Sequence, residues 1–289
     1  MSTSAAASLR RGKGNRAGTC LKRDVTIEIG GLSVRLHKIE PQFQTVLEDR
    51  YAGFVNDSAV PQFHFDVESA SPQTRDLDKD VAVTRKNGMW KVERGDFRAN
   101  WDVQTRRGRV RQPARPYAPY TPYAIDTLLR IVHSIDLAGD GGFLLHAASA
   151  IRGNRAFLFT GVSGAGKTTL TRLAPPDVQI LTDEISYVRR EGTGFRAYGT
   201  PFAGELARPG ENLSAPVAGV YLLDKGPECR LESVDPSTAV RALLRNILFL
   251  TRDSELVHRL FETAMSFISR VQVRRFVFTP DERAWGLIE

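Results

Sequence analysis

The residues best suited to chemistry lie close together. Gly161-Val-Ser-Gly-Ala-Gly166-Lys167-Thr168 has the spacing G-x-x-x-x-G-K-[ST]. Glycines at 161, 164 and 166 permit a tight turn, so that successive N–H groups converge on phosphate oxygens at a helix start. Lys167 brings a point positive charge for β- and γ-phosphates, and the Thr168 hydroxyl suits Mg2+. Gly161, Ser163, Gly164, Ala165, Gly166, Lys167, Thr168 and Thr169 are therefore the expected cradle for a nucleoside triphosphate. Asp183 and Glu184 follow at the end of the apolar run Val178-Gln-Ile-Leu-Thr. An acid there can hold Mg2+, or accept the proton of a hydroxyl that attacks the γ-phosphate. His146, in Phe143-Leu-Leu-His-Ala-Ala, precedes the loop and is expected near the phosphates.

The loop needs a strand before it and a helix after it. Ala156 to Thr160 reads as a short buried strand, and Thr168 to Leu173 as a helix that Pro175-Pro176 stops. Phe143 to Ile151 reads as another strand, turning at Arg152-Gly-Asn into the loop strand, which is why His146 is drawn toward the loop. Ahead of it, Ile125, Leu128, Leu129, Val132 and Ile135 recur at helical spacing, with His133 expected to pack. Downstream, Val220 to Asp224 reads as a core strand, and Asp235-Pro236 opens a helix through Leu250. Asp253 or Ser254 caps a further helix with Val257, Leu260, Phe261, Ala264 and Ile268 on one face and Met265 in the packing; Val271 to Phe278 closes as a strand. Such alternation predicts an α/β core with its ligand site at the carboxyl ends of parallel strands.

The first part of the chain reads differently. Val25, Ile27 and Ile29 alternate, then Gly30-Gly31, then Leu32, Val34 and Leu36: a hairpin pattern. Pro41 to Tyr51 suits a short helix, Phe63 to Val67 a strand, Asn87-Gly88 a second hairpin turn, and Phe97 to Val110 another strand pair. His37 and His64 stand alone in this text and are expected to be structural. The boundaries are a disordered basic tail at 1–24, a β-rich domain at 25–115, a Pro/Tyr linker at 116–123 and a nucleotide domain at 124–289. The net charge of +7 is concentrated in that tail and in Arg106, Arg107, Arg109, Arg111 and Arg115, expected to form a solvated hairpin face. No aromatic residues interleave with them, which disfavours a nucleic-acid partner. No apolar run approaches the ~20 residues that span a bilayer, so no membrane role is expected. Cys20 and Cys229 are far apart and outside any metal spacing, which points to a reducing, cytoplasmic setting.

Taken together, Leu-Leu-His146-Ala-Ala-Ser, Gly161 to Thr168, Leu-Thr-Asp183-Glu184 and Tyr198-Gly-Thr-Pro-Phe-Ala-Gly204 resemble the catalytic domain of HPr kinase/phosphorylase and its relatives, in the phosphoenolpyruvate-carboxykinase-like P-loop group. The resemblance runs from about Ile125 to the C-terminus. It implies the fold of that group behind an N-terminal β-rich domain, with ATP on the loop and Lys167. It further implies Mg2+ on Thr168 and Glu184, Asp183 acting on a seryl hydroxyl, and His146 beside the reacting phosphate. Where the bifunctional enzymes carry a second aspartate, this chain has Glu184. It also lacks a convincing copy of the signature that accompanies phosphorolysis, so a kinase is expected rather than a kinase/phosphorylase.

The expected activity is transfer of the γ-phosphoryl of ATP to a hydroxyl, most simply a serine of a protein or peptide, as in the family's peptide-tailoring kinases. A small-molecule kinase and a nucleotide-dependent switch without phosphotransfer stay open, as does a homo-oligomer. Arg208 is expected to be solvated.

Overall fold

The computed structural model describes residues 23–70, 80–95, 97–113, 123–202 and 210–288. The expected tail up to residue 22, most of the linker, Arg115, Gly204 and Arg208 lie outside the described residues.

Residues as far as 113 build a seven-stranded sheet. Its strands are β1 (Arg23–Ile29), β2 (Leu32–Ile39), β3 (Phe63–Ala70), β4 (Ala82–Lys86), β5 (Met89–Arg94), β6 (Phe97–Asp102) and β7 (Arg107–Pro113), with helix α1 (Pro41–Arg50) between β2 and β3. The order is β1-β2-β3-β7-β6-β5-β4. Two-residue turns set the hairpins: Gly30 and Gly31 have φ of 60° and 81°, Asn87 and Gly88 of 52° and 74°. Two consecutive positive φ values are what a tight hairpin matched to strand twist demands. Arg107, Arg109 and Arg111 alternate along β7 and are exposed, as expected of a solvated face.

The rest of the chain builds a nine-stranded sheet with helices against it. Helix α2 (Tyr123–Asp140) leads into β8 (Gly142–Arg152), β9 (Arg155–Thr160), α3 (Lys167–Arg172), β10 (Gln179–Thr182), β11 (Ile185–Glu191) and β12 (Gly194–Tyr198). After these come β13 (Ser214–Lys225), β14 (Arg230–Ser233), α4 (Pro236–Asn246), β15 (Ile247–Leu248), α5 (Ser254–Ile268), β16 (Gln272–Phe278) and a closing 3-10 turn, Glu282–Leu287. The expected parallel sheet is only partly there. β13 runs parallel to β9 and to β16, but β8 is antiparallel to β9, β10, β11 and β15. Short connections dictate this: Gly153 and Asn154, both at positive φ, return the chain at once from β8 to β9, and a parallel pair needs a long crossover.

Three finer expectations are corrected. α4 stops at Asn246, because Ile247 and Leu248 extend to pair with Leu145 and Leu144 of β8. On α5 the buried side is Leu256, Leu260, Thr263, Ala264 and Phe267, while Val257, Phe261 and Met265 are exposed. The same 3.6-residue period fits both stripes, and α5 packs against α2, α4 and β8 through the former. His37 and His64 are not alone. β2 and β3 pair in parallel and set the rings 5.3 Å apart and stacked, with His37 Nε2 3.0 Å from His64 Nδ1 and His37 Nδ1 2.8 Å from Asp24.

Buried apolar residues of both sheets, from Val25 to Val271, form one continuous cluster. A smaller cluster under the loop joins Phe157, Phe159, Tyr221, Phe276 and Trp285. Among the described residues no helix is long and apolar enough to cross a membrane.

Candidate active site

The site forms where β8 changes neighbours. From Ala147 onward β8 pairs with β9, Ala147 facing Thr160; from His146 back it pairs with β11, His146 facing Ile185. β9 and β11 therefore diverge at His146–Ala147, and the loop Gly161–Gly166 leaves β9 at that fork. On the other side of β8, β10 ends at Thr182, opposite Ser149. Asp183 and Glu184 are the link between β10 and β11, so they arrive beside the same fork. The Thr160 hydroxyl ties it by donating to the His146 carbonyl at 2.9 Å, and the Thr200 hydroxyl donates to the Ile185 carbonyl at 2.7 Å.

The parallel pairing supplies the remaining wall. Leu222 of β13 lies opposite Thr160 of β9, so the chain three residues further on, at Lys225, runs beside the loop. The result is one cleft of about 700 Å³, lined by His146, Ser163, Gly164, Ala165, Gly166, Lys167, Thr168, Thr169, Asp183, Glu184 and Lys225. That size lies within the range of small-molecule and cofactor sites. Every site residue expected from sequence lines it except Gly161. Gly161 lies at the base of the loop, where its carbonyl accepts from Lys167 Nζ at 3.3 Å.

Local forces explain the loop's shape. Gly164 and Gly166 have φ of 77° and 108°, and a Cβ at 166 would sit 2.6 Å from the Phe278 ring. The loop closes on itself where the Ala165 N–H donates to the Val162 carbonyl at 3.0 Å. α3 has six residues and so a small macrodipole; loop amides and Lys167 would carry most of any attraction for phosphate.

Electrostatics divides the cleft. Desolvation in the cleft holds the His146 imidazole below its ordinary range, reinforced by the Lys167 and Arg130 charges. Burial pushes the Glu184 carboxyl up, opposed by the Arg130 charge and assisted by Asp183. Asp183 is itself buried. Thr168, Asp183 and Glu184 present hard oxygen donors in one place. Among the described residues there is no cluster of three or more His, Cys, Asp or Glu able to cage an ion. Mg2+ is held in just this sparse way, by one or two carboxylates together with substrate phosphates, so the donor set fits it.

No family model and no curated protein matches this chain. Among solved structures, the HPr(Ser) kinase/phosphatase from Coxiella burnetii aligns at 14% identity and a TM-score of 0.23. That alignment covers 41% of this chain and 93% of the other. The site is therefore read from its own residues.

Sequence reasoning missed two cations. Arg130 of α2 reaches Glu184 at 3.7 Å and lies over the Phe202 ring at 5.0 Å. Lys225 lines the cleft from the end of β13. Neither belongs to a local motif; only strand pairing and helix packing bring them in.

Proposed function

We propose that this chain is an ATP- and Mg2+-dependent phosphotransferase of the HPr-kinase-like type, moving the γ-phosphoryl to the hydroxyl of a serine in a protein or peptide. The observation that carries the reading is the convergence of loop residues 163–169 with His146, Asp183 and Glu184 on one cleft. The P-loop fold of the phosphoenolpyruvate-carboxykinase-like group and a cytoplasmic setting go with this proposal.

Each residue has a distinct task. Loop amides and Lys167 offset the charge of the phosphates and hold them in line. Thr168 and Glu184 would hold Mg2+, which when bound would neutralise charge developing on the phosphates. Asp183, buried at the fork, orients the acceptor hydroxyl and takes its proton. His146, lining the same cleft, offers a hydrogen bond at the reacting phosphoryl.

The test is incubation with γ-labelled ATP, Mg2+ and the peptides or small proteins encoded beside the gene. Label should appear on one serine. Lys167→Ala should abolish it, and Asp183→Asn should cut it about a thousandfold while leaving nucleotide affinity nearly unchanged. Nucleotide binding without transfer to any of these acceptors would overturn the protein-serine reading in favour of a small-molecule hydroxyl or a switch.

A further inference from the structure

The end of helix α1 touches the cleft's supports through two neighbouring side chains, Arg50 and Tyr51. Arg50, the last residue of α1, donates from Nη2 to Asp126 Oδ2 at 2.7 Å and from Nη1 to the Pro201 carbonyl at 2.7 Å. Its neighbour Tyr51, wholly buried, donates its hydroxyl to the other Asp126 oxygen at 2.5 Å. Asp126 stands one turn before Arg130 on α2, the spacing at which side chains on a helix meet. Pro201 directly precedes Phe202, whose ring lies under the Arg130 guanidinium. Arg50 therefore grips both supports of Arg130, the helical turn and the aromatic ring, and Arg130 is the cation facing Glu184.

We infer that Arg50 is a positioning residue for the cleft: it fixes Arg130 and, through Arg130, the Glu184 carboxylate. The functional half of this inference rests on the proposed role of Glu184 as a metal ligand. The physical reason lies in Asp126, whose side chain is 19% exposed and has both oxygens engaged by Arg50 and Tyr51. With Arg50 removed, a largely buried carboxylate loses its charge partner, which is costly, and the Arg130 guanidinium stands at i+4 on the same helix. Arg130 then turns toward Asp126 and away from Glu184. The helix beneath the first sheet thus belongs to the working machinery, although none of its residues lines the cleft.

The experiment uses the full chain carrying Arg50→Met, Arg50→Lys or Tyr51→Phe, with two readouts. The first needs no ligand: the 15N signal of the Arg130 Nε–H in arginine-labelled protein, assigned with Arg130→Lys. It should move in Arg50→Met and return part of the way in Arg50→Lys. The second is Mg2+-dependent binding of a fluorescent ATP analogue. The Mg2+ half-saturation should rise about tenfold in Arg50→Met, the size expected for an outer-shell partner, with metal-free nucleotide affinity unchanged. In a Glu184→Gln background Arg50→Met should add no further shift. Tyr51→Phe, which keeps the ring, should give the same pattern in smaller measure and serves if Arg50→Met does not fold. An unmoved Arg130 signal, or an Mg2+ shift that is absent or persists undiminished with Glu184→Gln, overturns the inference. A wild-type chain that binds no nucleotide would instead overturn the proposed function, and the Arg130 signal would still decide the positional relation.

Discussion

At Gly166 the backbone turns with φ of 108° directly over the Phe278 ring. Alanine there meets two penalties, about 1–2 kcal/mol for left-handed backbone and a clash with an aromatic ring that is itself packed. Gly166→Ala should weaken nucleotide binding tenfold or more, on the order of 1.4 kcal/mol. Adding Phe278→Leu should recover the part due to the clash and leave the part due to the backbone; isothermal titration separates the two. His133 gives a second residue-level prediction. It is fully buried on α2 against Tyr187, with neither ring nitrogen hydrogen-bonded among the described residues. Burial pushes its pKa down to about 3. Between that value and the ordinary value near 6.5, the unfolded chain binds a proton that the folded chain refuses. Stability is thus whole above pH 6.5 and falls as pH drops, by about 1.4 kcal/mol per pH unit. Urea midpoints at pH 7 and pH 5 should differ less in His133→Leu than in the wild type. The loop, the acid pair and His146 were legible because each sits in a local pattern. Arg130, Lys225 and the contact of His37 with His64 were not, because each depends on pairing between distant segments.

Among the elements, α3 has the least means of its own. Six residues cannot sustain an isolated helix. Its end is held instead by the closing 3-10 turn, where buried Trp285 donates from Nε1 to the Leu170 carbonyl at 3.0 Å. Arg152 locks that turn in place by donating to the Trp285 and Ile288 carbonyls at 2.7 and 3.0 Å. Trp285→Phe keeps most of the buried area and loses the bond. It should cost about 1 kcal/mol of stability and speed amide exchange across α3; unchanged exchange would mean that the anchor is idle. The sequence offers no sign of this turn, since Asp281-Glu-Arg-Ala-Trp-Gly is too short to show a period. The hairpins, by contrast, were legible from Gly30-Gly31 and Asn87-Gly88, whose backbone geometry few other residues adopt. α4 was expected to run too long, and the expected α5 stripe holds Leu260 and Ala264 but includes the exposed Val257 and Phe261, for a common reason. Apolar residues say that something will be covered, but not which neighbour arrives to cover it.

For the whole molecule, one continuous core joins the two sheets. Gly30, at the first hairpin's tip, leaves room for the Tyr187 ring of β11; a Cβ there would lie within the ring's contact distance, at 2.4 Å. Arg106 reaches Asp136 of α2 at 3.3 Å, and Arg85 reaches Asp253 at 3.4 Å. The sheets should therefore unfold together. Trp90 and Trp101 report on the first sheet and Trp285 on the second, so variants retaining one or the other set should show coincident denaturation midpoints. Separate midpoints would show two independent units.

β13 carries a different consequence, for the insertions and deletions the gene can tolerate. Its first residues pair with β12 and its later ones with β9 and β16, and its register with β9 slips once, between Val217 and Gly219. An added residue near that slip falls where the ladder already accommodates irregularity. An added residue between Leu222 and Lys225 falls in unbroken pleat, where a shift of one turns each side chain to the opposite face. Lys225 would then swing away from the cleft with the strand still paired. Length changes in this strand should accordingly be confined to its first half.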